Sequence, residues 1–501
     1  MLELCLAILT FFAFANPIKQ IPFFVFCFPL LLLYLANKSY NLIKLIIVSW
    51  IYGSFIYIFC LYWIYYPVSS YTNIPLIISI FCPVLLGLYL GLYPAVFSIF
   101  AFLVRKKHWL LQGIFCGLSW IVLEYIRSFF LTGFPWLNLT QAFTKYPIFI
   151  QLIQITGCIV YSGIIVCIIT WIFNTRKKNL IPFTVGLISF IFILAINWHL
   201  YKRPIPKKEQ IPSLIVQGNI DQYQKWNIKF QNSTLDKYIN LTKSKLNPEI
   251  RLVVWPETAM VFYLYYNQFL TNKLLNFTRD KNFLLITGAP AYEKIKNKDR
   301  FFNRAYLISH GKIQDFYDKV HLVPFGEYVP LSNLLSFLEK IVEGPGNFSP
   351  GKALLPLRYR NIAICTLICY EIIFPDLTAE IVGKNAELIV NISNDAWFGN
   401  TSGPYQHLNQ AILRAIETKR YILRATNSGV SAVISPKGEI IDKIGLNKEG
   451  SIYAESVYLI DQKTFFVLYH NHIKSFCFII WIVLLICCFK KEIISQIGNR
   501  I

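Results

Sequence analysis

Three stretches of this 501-residue chain place reactive side chains just past apolar runs of strand length. The first is Val253-Val254-Trp255-Pro256-Glu257-Thr258, where a stiff Trp-Pro step holds a carboxylate at a strand end. Such a group suits a general base, though a glutamate in a loop is equally a solvated surface residue. The second runs from Tyr317-Asp318-Lys319 through Glu327 to Pro330 and mixes ionisable, aromatic and proline residues. It reads either as a rigid, partly buried loop or as a surface salt-bridge loop. The third is Thr366-Leu367-Ile368-Cys369-Tyr370-Glu371, in which an apolar strand delivers a thiol beside a carboxylate. A lone cysteine is often an inert packing residue; a nearby base and cation would instead favour the thiolate that nucleophilic catalysis needs. Cys365 lies four strand residues earlier, about 13 Å away, too far for a disulfide, which needs Cα atoms within about 7 Å. The remaining ten of the twelve cysteines lie in or beside apolar runs, and no zinc-ligand spacing is present.

These residues need a scaffold, and the pattern from about residue 211 supplies one. Short apolar segments at Ser213–Gln217, Arg251–Trp255, Phe283–Thr287, Ala305–Ser309, Ile362–Cys369, Glu387–Ile392 and Val430–Ser435 predict strands. Leu408, Ala411, Ile412, Ala415 and Ile416 form a helical stripe within 404–421. Residues 201–472 are enough for one α+β or α/β domain with a full core.

On either side the chain is of another kind. Hydrophobic residues make up 55% of the sequence, and the mean hydropathy of +0.48 exceeds what a soluble core requires. A hydrocarbon core of about 30 Å takes roughly 20 helical residues. That ruler predicts spans near 1–16, 21–37, 44–66, 74–104, 109–128, 148–173, 181–200 and 473–489. The first two are short and could instead form a re-entrant pair, and Pro83 and Pro94 should tilt or kink the fourth. The amino terminus reads as a retained helix rather than a cleaved signal peptide. The expected organisation is a bundle over 1–200, a catalytic domain over 201–472, and a final span with a basic tail over 473–501.

The net charge of +21 sits, outside the soluble domain, mostly in clusters between apolar runs such as Arg105-Lys106-Lys107 and Arg176-Lys177-Lys178. No nucleic-acid reader motif accompanies it, so no nucleic-acid partner is expected. Eight spans would put both termini on one side and residues 201–472 on the other. The clusters then assign the termini to the cytoplasm and the large domain to the outside.

Taken together the motifs resemble the nitrilase superfamily, over nearly the whole soluble domain. Across the entire chain they resemble its apolipoprotein N-acyltransferase branch. The resemblance rests on Val216-Gln217-Gly218-Asn219-Ile220 with Trp226, on the Trp-Pro-Glu-Thr and Asp318–Pro330 stretches, and on Ile368–Glu371. Asn394–Gly399, Gly403–Leu408 and Arg424–Gly429 complete it. It implies an α-β-β-α sandwich outside the membrane and a triad of Glu257 as base, Lys319 as oxyanion stabiliser and Cys369 as nucleophile. Glu327 would orient the lysine, with Tyr370, Glu371 and Trp226 supporting activity. Glu124, Arg127 and Gly133–Trp136 resemble the family's outer loop between two spans.

The reaction so implied passes an acyl chain from a phospholipid, by resemblance phosphatidylethanolamine, through a cysteine thioester to the amine of a diacylglyceryl-cysteine on an apolipoprotein. The setting would be the bacterial inner membrane, with the catalytic domain periplasmic and no metal or cofactor. A membrane-tethered amidase passing the acyl group to water is the nearest rival. A transporter would need more ionisable residues in mid-span. Three positions depart from the family's usual pattern: Met260-Val261, Phe302-Asn303-Arg304 and Ser435-Pro436. Leu334–Leu338, ahead of Gly344-Pro345-Gly346, reads either as an apolar lid or as a packed surface helix.

Overall fold

A computed structural model describes residues 1–39, 41–71, 75–328 and 348–498. The expected apolar arm at Leu334–Leu338 lies outside the described residues. The chain folds as two compact units, one built from Met1–Tyr62, Ile80–Arg203 and Tyr469–Ile501, the other from Trp63–Ser79 and Pro204–Leu468.

Among the described residues six helices are long and apolar enough to cross a membrane, all lying wholly or mostly in the first unit: Leu42–Cys60, Leu76–Val104, Trp109–Thr132, Ile153–Phe173, Ile181–Lys202 and Phe465–Cys488. The two short segments expected at the amino terminus form shorter apolar helices, Leu2–Ala13 and Pro22–Lys38. The long fourth span breaks at Gly91, between the helices Leu76–Leu90 and Leu92–Val104. Pro94 has no N–H to give the Leu90 carbonyl, which locates the break. Helices Trp109–Phe129 and Ile153–Phe173 cross closely because both are bare at the crossing. A Cβ on Gly117 would stand 2.7 Å from the Gly163 carbonyl oxygen.

The second unit contains fourteen strands among its described residues: β1 (Glu209–Gln210), β2 (Ser213–Gln217), β3 (Leu252–Val254), β4 (Leu284–Ile295), β5 (Lys298–Ser309), β6 (Lys312–Asp318), β7 (Leu357–Tyr359), β8 (Ile362–Ile368), β9 (Leu388–Ser393), β10 (Ile422–Thr426), β11 (Ser431–Ile434), β12 (Ile440–Ile444), β13 (Gly450–Ala454) and β14 (Tyr458–Leu459). Twelve of them make two six-stranded sheets, ordered β13-β2-β3-β4-β5-β6 and β12-β11-β10-β9-β8-β7. The middle of each sheet is parallel, β2-β3-β4 in one and β8-β9-β10 in the other.

Alternation sorts the side chains of the first sheet. Leu214, Val216, Val253, Trp255 and Leu285 join a buried cluster with Leu235, Tyr238, Leu270 and Leu274 of the helices Gln231–Lys243 and Gln268–Arg279. The opposite face meets the second sheet. There Gln217 Oε1 accepts from Thr426 Oγ1 at 3.1 Å and from the Ser431 N–H at 3.2 Å. Helix Gly403–Thr418 packs outside the second sheet and is buried on nearly every side. The unit is therefore the α/β sandwich that the resemblance implied.

Candidate active site

Every expected reactive residue follows the carboxyl end of a strand, and those strands run the same way within their sheet. In the first sheet β3 and β4 are parallel, β5 reverses, and β6 reverses again, so the ends of β3 and β6 lie on one edge. Glu257 follows β3 and Lys319 follows β6; Cys369 follows β8 in the second sheet. Open α/β sheets commonly bind ligands at this edge.

Glu257 is buried and fixed at both oxygens. Oε1 accepts from Asn303 Nδ2 at 2.7 Å, and Oε2 accepts from the Asn394 N–H at 2.8 Å. Its loop presses on β4 so closely that a Cβ on Gly288 would meet Glu257 Cα at 2.8 Å. Only glycine fits there.

Lys319 is 1% exposed, with Nζ 2.7 Å from Glu327 Oε1 and 3.8 Å from Glu257 Oε1. Burial alone would lower its pKa, but Glu327, Glu257 and Cys369 outweigh burial and hold it above the usual lysine range. The ammonium is thus permanently charged at neutral pH. Asn303 Nδ2 also reaches Glu327 Oε1 at 3.0 Å, and Glu327 Oε2 accepts from the Val323 N–H at 2.8 Å.

Cys369 opens a tight turn, Cys369–Ile373, with φ of 51°. A left-handed conformation costs an ordinary residue about 1–2 kcal/mol, and here Glu371 helps to hold it. That carboxylate is fully buried and accepts four hydrogen bonds. Oε2 takes the Ile368 N–H at 2.9 Å, while Oε1 takes Tyr317 Oη, the Val320 N–H and the His321 N–H at 2.8, 2.7 and 3.1 Å. One side chain therefore ties the cysteine turn to the backbone just after Lys319. Burial pushes Glu371 up to about 7 against the pull of these donors and Lys319. The Cys369 thiol is also raised, by burial first and then by the Glu257 carboxylate, with Lys319 opposing.

Tyr370 and Trp226 are the remaining expected residues. Tyr370 packs edge-on against Phe374, ring centroids 5.3 Å apart. Trp226 is half-buried, and its indole N–H has no partner among the described residues. Several residues that motif reading passed over prove central. Asn303 bridges the two glutamates, and Asn394 binds Glu257. His407 Nε2 donates to the Cys369 carbonyl at 3.2 Å, with Nδ1 3.0 Å from Asp395 Oδ1. Lys225 is buried beside Glu257. Each lies in or beside a quoted motif, but neither spacing nor residue type discloses its partner. Among the described residues no group of three or more His, Cys, Asp or Glu side chains could hold a metal ion.

Residues 215–458 match the carbon-nitrogen hydrolase family, and residues 6–171 match the apolipoprotein N-acyltransferase N-terminal domain. Among solved structures, Saccharomyces cerevisiae Nit3 of the nitrilase superfamily is similar at 21% identity and a TM-score of 0.37, covering 53% of this chain and 95% of that one. The apolipoprotein N-acyltransferase of Rickettsia prowazekii is 34% identical over 464 residues, 89% of each chain. That of Geobacter metallireducens is 36% identical over 410 residues, 79% of this chain and 78% of its own. Identical at more than a third of the aligned positions to a relative over three quarters of both chains, this chain belongs to the apolipoprotein N-acyltransferase family.

Proposed function

We propose that Glu257, Lys319 and Cys369 are the catalytic triad of an acyl transfer from a phospholipid to the amino-terminal amine of a diacylated apolipoprotein. The observation that carries this reading is the buried cluster in which Lys319 lies between Glu257 and Glu327 and feels the Cys369 sulfur. Membership of the family supplies the lipoprotein acceptor and the lipid setting of a bacterial membrane protein.

The first half-reaction begins when Glu257 takes the Cys369 proton and the sulfur attacks an ester carbonyl of the donor, for which phosphatidylethanolamine is the choice. Lys319 and a backbone N–H of the cysteine turn meet the oxyanion; losing one such donor typically costs about 3–4 kcal/mol. The intermediate expels the lysophospholipid alkoxide, which leaves with the proton held by Glu257, and a thioester remains. In the second half-reaction the α-amine attacks that thioester and gives a proton to Glu257. The thiolate departs and recovers the proton. Glu327, Glu371, Tyr370 and Trp226 support these steps by holding the lysine, the cysteine turn and the surrounding walls.

In this reading the enzyme sits in the inner membrane with both termini cytoplasmic and the catalytic unit periplasmic, following the basic clusters at 105–107 and 176–178. Mixing the purified protein with phospholipid and a synthetic diacylated lipopeptide tests the acceptor. Transfer adds the mass of one acyl group to the peptide amine. Free fatty acid with an unchanged peptide would instead favour the amidase-like use of water.

A further inference from the structure

Two carboxylates and one ammonium leave the triad cluster with one negative charge in excess when Glu257 and Glu327 are ionised. The Lys319 charge is already shared, with Glu327 Oε1 at 2.7 Å and Glu257 Oε1 at 3.8 Å. Forming a thiolate on Cys369 in that buried, net-negative setting runs against both burial and the Glu257 charge. One further cation, Lys225, is buried beside this cluster.

Lys225 ends the short helix Gln222–Lys225 and is 1% exposed. Its Nζ donates to the Glu257 backbone carbonyl at 3.4 Å. The same helix is fixed to the site by Gln222 Oε1, which accepts from Asn394 Nδ2 at 2.9 Å; the Asn394 N–H in turn holds Glu257 Oε2. Among the described residues Lys225 forms no ion pair within 4.0 Å. A buried ammonium with one long hydrogen bond is costly to the fold, and such groups concentrate where chemistry needs them. Burial lowers its pKa to about 8, while Glu257 and a thiolate on Cys369 both favour its protonated form. At the sulfur itself Glu257 and Asp395 oppose the thiolate and Lys319 favours it.

We propose that Lys225 is the second cation of the acyl-transfer site, giving the Cys369 sulfur the positive charge that Lys319 has committed to Glu257 and Glu327. It acts through space and through the Glu257 loop, and so is a positioning residue. Its proton stays on nitrogen throughout, while the thiol proton passes to Glu257. The same charge favours the thiolate as nucleophile in the first half-reaction and as leaving group in the second. The inference rests on the reading of Cys369 as the nucleophile.

The test is the pH dependence of Cys369 alkylation by iodoacetamide, read by mass on the Cys369 peptide, in the full-length protein and in Lys225→Met and Lys225→Arg. In Lys225→Met the midpoint moves up by about one unit and acylation by phospholipid slows about tenfold. Lys225→Arg keeps the midpoint near that of the parent. Lys225→Met also unfolds at the same or a higher temperature, since it removes an unpaired buried charge. A folded Lys225→Met protein with an unmoved midpoint overturns the proposal. So does failure of Lys225→Met to fold, which would make the lysine structural. Parent protein that alkylates at Cys369 but takes no acyl group from phospholipid would instead defeat the triad reading.

Discussion

Each of the two units buries a glutamate beside a cation, and the two pairs are built differently. In the membrane unit Glu124 and Arg127 lie one turn apart on the helix Trp109–Phe129, 3.7 Å from each other. Trp120 Nε1 donates to Glu124 Oε1, and Arg127 donates to Tyr57 Oη. Glu124 Oε2 and Arg127 Nε have no partner among the described residues, and the pair lines a cavity with Tyr57, Tyr93 and Trp120. In the catalytic unit Glu257, Asn303, Asn394 and the stretch from Lys319 to Glu327 come from four separate segments. Both oxygens of Glu257 and both of Glu327 are met. A pair set by helix pitch costs little to assemble and leaves its outer faces unmet. A cluster gathered from four segments needs the whole sandwich, and in return fixes donors and acceptors before substrate arrives.

That contrast can be broken at several points. The largest effect belongs to Cys369→Ala, which should lower lipopeptide acylation by at least about a thousandfold with unfolding unchanged; retained activity would place the nucleophile elsewhere. Next, Glu371→Ala strands four donors, two of them buried, and should destabilise the catalytic unit by about 3 kcal/mol, seen as earlier thermal unfolding together with lost activity. Glu327→Gln removes the main support of the Lys319 charge and should slow transfer about a hundredfold. Because Glu327 raises the Lys319 pKa, its removal lets the ammonium lose its proton at lower pH. The alkaline limb of the rate profile should therefore move down. The smallest effect sharpens the other side. Arg127→Gln alone leaves a buried carboxylate without its cation and should cost about 3 kcal/mol, whereas Glu124→Gln with Arg127→Gln should cost about 1 kcal/mol or less. Equal costs for the single and double variants would mean that the pair is no unit.

The same contrast explains what could be read from the sequence. Elements governed by local rules were legible: the strands beneath Glu257 and Cys369, the helix at 403–418, and the helices long enough to cross a membrane. Even there, tertiary packing extends the last helix back to Phe465, where hydropathy alone placed its start at 473. Resemblance nominated Glu257, Lys319, Glu327, Cys369 and Glu371, but no spacing says that Glu371 reaches across to Val320 and His321. Arg304 shows the limit most clearly. It belongs to one of the stretches that depart from the family's usual pattern, and in the fold it is buried with Nε 2.6 Å from Asp318 Oδ1 and Nη2 2.6 Å from Glu293 Oε1. Its two carboxylates lie 11 and 14 residues away along the chain and become neighbours only when β4, β5 and β6 pair. Lys225 escaped for the same reason: a lysine at a helix end reads as solvated until Gln222 and Asn394 lock that helix over Glu257.

The most direct measurement is the mass of the Cys369 peptide after the purified protein meets phospholipid without acceptor. A gain of one fatty acyl group, removed by neutral hydroxylamine and absent in Cys369→Ala, is the result expected of a thioester on this cysteine. An unmodified Cys369 peptide, from protein that still acylates lipopeptide, would contradict it.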